Sequence, residues 1–285
     1  MTPIKYILFV FAIVFSACQQ PKEEVKKVVK QETQIKQGKN ISNQGFQDIL
    51  DSANLGGTIL IYDSKNDKLY GNDLDKAKIG YLPASTFKIA NTMIGLETGK
   101  IVDENMVFKW DGVKKAVPIW EKDLVLKDAF QFSCVPCYRE LARNIGFQDM
   151  NAYLAKLKFG NMQIKEHSVD MFWLAGESTI TSFQQIDFLQ RFYEKKLPIS
   201  DRTHQIVKKI LLLEEKESYK MSGKTGWAIQ DEADNGWFVG YLETGENVYY
   251  FSTNVSPKEG FDMNLFAKVR KEMTVAAFQK MELIK

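Results

Sequence analysis

The chain has 285 residues, 45% of them hydrophobic, which is enough to bury one large core and to shape a cleft. Its 38 basic and 36 acidic side chains leave a net charge of only +2, so the composition does not suggest a nucleic-acid partner. Two histidines are too few for the usual ligand set of a zinc hydrolase, and we expect no metal.

Residues 1–17 are predicted to be a signal peptide, because Lys5 precedes an apolar run at 6–17 that is short for a membrane span. The tetrapeptide FSAC at 15–18 is unsuited to ordinary cleavage but resembles a bacterial lipoprotein box. We therefore expect an exported periplasmic protein, anchored to a bacterial membrane through a lipid on Cys18. An ordinary secreted protein with a spare cysteine is the alternative.

Residues 18–44 are polar and charged with no lasting apolar period, which is typical of a solvated tether. The folded domain is predicted at 45–285. It begins with a hairpin, since 56–73 reads as an apolar strand, a polar turn and a short return strand. A helix is predicted at 85–97, with Gly99 just beyond its end.

Residues 119–215 are mostly helical in pattern, with segments such as VPCYRELARNIG and TSFQQIDFLQRFYEKKL. Cys134 and Cys137 lie in this part. In an exported protein such a pair can form a disulfide at the start of a helix, and two small side chains packed in a core are equally compatible with the spacing.

Three strands follow, in YKMSGKTGWAI, NGWFVGYLE and NVYYFSTNV, and then a closing helix at about 261–281. Strands at both ends of the domain with helices between them predict an α+β fold. We expect one antiparallel β-sheet flanked by helices, with an inserted helical subdomain and the active site between the layers.

The segment PASTFKIANT places Ser85 one helical turn before Lys88. A serine hydroxyl needs a base to act as a nucleophile at neutral pH, and a lysine with its usual pKa near 10.4 is protonated and cannot serve. Lys88 must therefore lose its charge through an apolar pocket or through chemical modification. Phe87, Ile89 and Val135 are candidates for the apolar surroundings.

Two further motifs complete a candidate site. Ser133 lies in FSCVP, where a helix is predicted to begin. Residues 222–226, SGKTG, end a strand just before Trp227. Lysine and a small hydroxyl side chain suit an anionic substrate group, and glycine permits close approach of the backbone.

These motifs, in this order, resemble those of the class D (OXA-type) serine β-lactamases, which belong to the penicillin-recognising serine enzymes. The chain shows Ser85-Thr86-Phe87-Lys88 for S-x-x-K, Ser133-Cys134-Val135 for S-x-V, and Lys224-Thr225-Gly226 for K-T/S-G. Trp173-Leu174 matches the segment that supplies a tryptophan to the motif lysine. The resemblance extends over roughly residues 45–280.

The resemblance implies hydrolysis of β-lactam antibiotics, and hence antibiotic resistance, through an acyl-enzyme on Ser85. It implies that Lys88 reacts with carbon dioxide to form a carbamate, held by the indole of Trp173, which acts as the general base. Carbon dioxide or bicarbonate is then needed, and no other cofactor. Ser133 would pass a proton to the leaving nitrogen.

The remaining implied roles concern substrate binding and the lysine pocket. The backbone N–H groups of Ser85 and Trp227 would form the oxyanion hole, while Lys224 and Thr225 would hold the substrate carboxylate. Phe87, Val135 and Leu174 would surround the lysine, together with Trp173.

Two positions depart from the family pattern. The family's Y-G-N appears as FGN at 159–161, so a hydroxyl is missing and the ring of Phe159 is expected to serve packing. The family often places a carboxylate-binding arginine early in the last helix; that place falls near Phe266 in this chain, with Arg270 one turn later. No arginine is assigned to the carboxylate on this basis.

Two other functions remain as alternatives. A β-lactam sensor or penicillin-binding domain would share the motifs but stay acylated, although such receptors carry several membrane spans and a cytoplasmic metalloprotease. A cell-wall-binding lipoprotein with an inactive site would have no need of Ser85, Lys88 and Ser133 together.

Overall fold

The structure is a computed structural model, and it describes residues 39–285. The predicted signal peptide, the lipidation site at Cys18 and most of the predicted tether lie outside the described residues. Within residues 39–285, no helix has both the length and the apolar character required to cross a bilayer.

The first part of the domain contains the predicted hairpin. The elements here are β1 Lys39–Ser42, α1 Gln44–Ser52, β2 Leu55–Asp63, β3 Lys68–Gly71 and α2 Lys88–Glu97. Strands β2 and β3 pair antiparallel, whereas β1 pairs parallel with β3. Residues 39–42, which the sequence placed in the tether, thus form a strand. Ile41 is the only apolar residue of this strand, so no hydrophobic period marks it.

The middle of the chain forms the helical subdomain. It comprises a small β-ladder and five helices: β4 Val107–Phe108, β5 Leu124–Val125, α3 Leu126–Gln131, α4 Val135–Ile145, α5 Phe147–Leu157, α6 Ser182–Tyr193 and α7 Asp201–Leu211. Helix α2 is buried from Lys88 to Leu96 and contacts α4, α5 and α7. The helix that begins at the candidate base is therefore the centre of this core.

The last part supplies most of the sheet and the closing helix. Its elements are β6 Leu212–Glu215, β7 Lys220–Gln230, β8 Ala233–Thr244, β9 Asn247–Pro257 and α8 Phe266–Lys280. The sheet has the order β1-β3-β2-β9-β8-β7-β6. Helices α1 and α8 cover one face through the apolar core that includes Phe46, Leu50 and Phe278, and the helical subdomain covers the other. The α+β prediction is confirmed; among residues 39–285 the β1–β3 pair is parallel and the other pairs of this sheet are antiparallel.

Candidate active site

The candidate nucleophile lies in a short turn before α2 and not within the helix. Ser85 belongs to a 3₁₀ turn, Ala84–Phe87, and the α-helix begins at Lys88. Ala84 has a φ of 51°, in the left-handed region that non-glycine residues rarely adopt. Its N–H donates to the carbonyl of Trp173 at 2.9 Å. This bond ties the turn that presents Ser85 to the tryptophan segment.

Ser85 and Lys88 form a buried pair. Lys88 Nζ lies 3.0 Å from Ser85 Oγ, and Lys88 is fully buried. Burial lowers the pKa of Lys88 from 10.5 to about 7. Loss of water penalises the ammonium form, because a buried charge without a counter-ion is poorly solvated. A substantial fraction of this lysine is thus a neutral amine at neutral pH, and the amine can accept a proton from the serine.

Aromatic rings surround the start of α2. Lys88 Nζ lies 5.1 Å from the ring centre of Tyr138. The ring of Phe87 packs 5.0 Å from that of Trp173, and both side chains are fully buried. Leu174 is partly buried against the same core. These groups make the surroundings apolar, as expected for a lysine whose charge is suppressed.

The indole of Trp173 has an unused donor. Its Nε1 is buried and has no hydrogen-bond partner among residues 39–285. A buried N–H without an acceptor costs free energy and is unusual in a folded protein. The orphaned donor indicates that the site is built to hold an acceptor that the polypeptide does not supply.

The second motif connects α3 to α4. Ser133 has a φ of 54°, and Lys224 Nζ donates to its Oγ in a short hydrogen bond. Cys134 and Cys137 form a disulfide, so of the two interpretations of this pair the structure shows the covalent one. Val135 begins α4, is partly buried, and lines a cleft of about 390 Å³.

The third motif lies on β7 beyond its pairing with β6, which ends at Ser222. Lys224 is nearly fully buried, and Thr225 is half-buried. A Cβ added to Gly226 would lie 3.2 Å from the carbonyl oxygen of Pro83 and 3.3 Å from the nitrogen of Thr86. Glycine therefore lets β7 pass directly against the turn that carries Ser85, a contact that the motif did not specify.

Arg270 reaches this strand from α8, a placement that the sequence left unassigned. Its guanidinium donates to the carbonyl of Gly226 and lies 5.5 Å from the ring centre of Trp227. Phe266, near the family's arginine position, packs its ring 5.0 Å from the same indole. Trp227 itself is 37% exposed and donates to Asp234 at 2.6 Å. In the sequence, the contact of Arg270 with Gly226 was indicated only by the position of Arg270 one helical turn after Phe266.

The site contains three buried basic side chains that lack a carboxylate partner among the described residues. Lys88, Lys224 and Arg270 are all buried, and none forms a salt bridge with a carboxylate within residues 39–285. Burial, with the charges of Lys88 and Arg270, lowers the pKa of Lys224 well below its usual value. Burial alone lowers the pKa of Arg270 to about 10. An anion bound beside these groups would stabilise their protonated forms.

Other candidate groups do not join this cluster. The ring of Phe159 is buried and packs 5.7 Å from Phe87 and 4.8 Å from Phe188. His167 is exposed, and His204 bonds to the carbonyl of Phe192 at 3.1 Å. The part of the chain that the structure describes contains no group of three or more His, Cys, Asp or Glu side chains placed to hold a metal.

Comparison with known proteins first defines the broad class. Residues 49–276 match the penicillin-binding protein transpeptidase domain, so the chain belongs to this family of serine enzymes. Within it, the chain belongs to the class D β-lactamases. It has 35% identity with the structure of the class D β-lactamase from Sebaldella termitidis, with a TM-score of 0.82 over 87% of this chain and 100% of that one.

Comparison with related sequences leads to the same family. The chain is 37% identical over 217 residues to β-lactamase OXA-48 of Klebsiella pneumoniae, covering 76% of this chain and 82% of that protein. The regulatory protein BlaR1 of Bacillus licheniformis is 28% identical over 229 residues, which is 80% of this chain but 38% of the regulator. The identity is lower for the regulator than for the β-lactamase, and the family recognised from the motifs is confirmed.

Proposed function

We propose that the protein hydrolyses β-lactam antibiotics through an acyl-enzyme on Ser85, and thereby confers antibiotic resistance. The observation that carries this proposal is the buried Ser85–Lys88 pair, with Nζ 3.0 Å from Oγ and a lysine pKa lowered to about 7. Membership of the class D family supports β-lactams as the substrates. Ser85 Oγ attacks the lactam carbonyl, the ring C–N bond breaks, and water later releases the acid and regenerates the serine.

In the proposed mechanism Lys88 acts after reaction with carbon dioxide. A neutral amine adds carbon dioxide and releases one proton, which gives an anionic carbamate. Such an anion suits a pocket with an unused indole donor on Trp173 and with Lys224 and Arg270, two buried basic side chains that have no carboxylate partner among the described residues. A carbamate oxygen would be a more suitable general base than the amine for both serine and water, because it is already unprotonated whereas part of the amine carries a proton at neutral pH.

Ser133 and Lys224 would deliver a proton to the leaving nitrogen. Their direct hydrogen bond and the lowered pKa of Lys224 support a shared proton between them. The backbone N–H groups of Ser85 and Trp227 are proposed as the oxyanion hole. This assignment is supported by the close approach of Gly226 to the Ser85 turn.

Substrate carboxylates are proposed to bind at the end of β7. Lys224 and Thr225 follow from the motif, and we add Arg270, whose buried guanidinium lies against Gly226 without a carboxylate partner among the described residues. An arginine can bind a carboxylate through two parallel hydrogen bonds. Arg270 lies one helical turn after Phe266. It would thus supply the positive charge that the side chain of Phe266 lacks.

The test compares wild type with Ser85→Ala, using Ser52→Ala as a matched control on the exposed face of α1. Intact-mass spectrometry after incubation with penicillin should show an acyl adduct on wild type and control and none on Ser85→Ala. Steady-state hydrolysis should be lost in the same variant. An adduct that persists on Ser85→Ala would place the nucleophile elsewhere.

The same experiment distinguishes an enzyme from a sensor. A sensor domain would form the adduct in stoichiometric amount and keep it for the duration of the assay. Rapid decay of the wild-type adduct, with many substrate molecules consumed per protein, supports hydrolysis. Removal of carbon dioxide at mildly acidic pH should slow that decay, and bicarbonate should restore it.

Export and lipid anchoring are proposed from the sequence of residues 1–18. Wild type should fractionate with the membrane, and Cys18→Ala should be released or retained as an uncleaved precursor. An unchanged amount of processed Cys18→Ala protein in the membrane fraction would contradict a lipid on Cys18.

A further inference from the structure

The Cys134–Cys137 bridge closes a loop of four residues between two residues of the candidate site. On one side it is preceded directly by Ser133, whose Oγ accepts from Lys224. On the other it is followed by Tyr138, whose ring lies 5.1 Å from Lys88 Nζ. A change in the bridge therefore acts next to both the proposed proton donor and the proposed base.

Ser133 needs support from its surroundings. Its φ of 54° is in the left-handed region, which is unfavourable for a residue with a side chain and persists only where neighbouring contacts enforce it. Two backbone bonds contribute, from Ser133 N–H to Phe130 O at 3.1 Å and from Cys134 N–H to Ala129 O at 2.9 Å. The disulfide adds a covalent tie from the very next residue to the first turn of α4.

The bridge is buried, with exposures of 1% for Cys134 and 8% for Cys137, and a reductant would have to approach it from the cleft that both residues line. Cys134 is the N-cap of α4, its Sγ accepts from the N–H of Cys137 at 3.3 Å, and both cysteines line the 390 Å³ cleft. Cations outnumber acids among the residues that line this cleft: Lys109, Lys115, Lys122, Arg139 and Arg143 against Asp111 and Glu140. The N-terminus of a helix stabilises a thiolate, which favours the reduced form; four of these five cations are already paired with Asp111, Asp123 or Asp170.

We propose that the Cys134–Cys137 disulfide is a redox-sensitive positioning bridge that holds Ser133 for proton transfer; this rests on the proposed function. A dithiol reductant breaks the S–S bond, supplies two electrons and two protons to form two thiols, and becomes a disulfide itself. Ser133 is then held by the two backbone bonds and the hydrogen bond from Lys224, without the covalent tie. Acylation slows because the proton reaches the leaving nitrogen less often, while noncovalent binding of substrate is retained.

The test uses the full chain, oxidised or treated with dithiothreitol, with thiols counted by alkylation and mass spectrometry. Two acyl donors are compared in single turnovers: a penicillin, whose leaving nitrogen must be protonated, and a thioester depsipeptide, whose thiolate leaves without a proton. Reduction should lower the acylation rate constant for penicillin about tenfold, with an unchanged dissociation constant. The rate for the thioester should change less than twofold.

The variant Cys134→Ser/Cys137→Ala removes the disulfide but keeps a side-chain oxygen that can cap the start of α4. It therefore tests loss of the covalent bond without loss of the helix cap. It should behave as the reduced wild type and should not respond to dithiothreitol. Equal rates in the oxidised and reduced protein, or equal slowing with both donors, would overturn the proposal. Absence of any acyl adduct on Ser85 in either form would overturn the proposed function, and the inference with it.

Discussion

Replacement of Lys88 by methionine should make the protein more stable and inactive. The side chain is fully buried without a carboxylate partner among residues 39–285, and burial lowers its pKa from 10.5 to about 7. In the unfolded chain the lysine keeps its usual pKa. Between pH 7 and pH 10 the unfolded state therefore binds a proton that the folded state does not, so the stability of the wild type rises as the pH increases.

The size of the effect follows from the two pKa values. At 1.36 kcal/mol per pH unit, the cost of burying this titrating group is about 4 kcal/mol at pH 7 and about 2 kcal/mol at pH 9. Methionine is unbranched, apolar and of similar length, so it fills the same space without that cost. The unfolding free energy of Lys88→Met should exceed that of wild type by up to about 4 kcal/mol at pH 7. This difference should decrease by about 2 kcal/mol when the pH is raised to 9.

The assay is urea unfolding at pH 7 and pH 9 in buffer free of carbon dioxide, so that the wild-type lysine is not carbamylated. Lys100→Met, on an exposed lysine beyond α2, serves as the control and should show no such pH-dependent difference. A Lys88→Met variant that is less stable than wild type at both pH values would refute the argument that burial suppresses the charge of this lysine.

Three further predictions test individual contacts. Trp173→Phe keeps a ring but loses the unused N–H, so the bicarbonate concentration for half-maximal activity should rise about tenfold, from loss of one hydrogen bond to a charged group; an unchanged requirement would remove the indole from the mechanism. Arg270→Met should raise the KM for penicillin at least about tenfold and leave a penicillin methyl ester unaffected, because the ester lacks the carboxylate. Gly226→Ala should lower the acylation rate, with a loss of about 1 kcal/mol in unfolding free energy, because its Cβ would press on the Ser85 turn; unchanged acylation by stopped flow would argue against that close approach.

The strong periodic segments were predictable from sequence. The hairpin at β2–β3, the three long strands and the helices around α4 to α6 have clear alternation or helical spacing, and the structure has them. Strand β1 was missed because its composition is polar and because its partner is β3, which follows α1 and β2, and not the neighbouring strand in the sequence. Local patterns report which face of an element is apolar, and they do not report which distant element pairs with it.

The chemistry of the site was partly predictable. Spacing alone placed Lys88 one turn after Ser85, and the structure brings the two atoms within hydrogen-bond distance. The left-handed conformations of Ala84 and Ser133 carry no sequence signal, since neither residue is a glycine. The contact of Arg270 with Gly226 depends on how α8 lies on the sheet, which is a property of tertiary packing.

The contact between Gly226 and the Ser85 turn joins positions about 140 residues apart in the chain. A pairing of this kind forms late, because a long intervening loop must close before the contact contributes any stability. A chain that ends before β7 has a serine and a lysine but no strand beside them. Covalent labelling by penicillin during refolding should consequently appear only with the final cooperative phase, which makes the antibiotic a kinetic probe of complete folding.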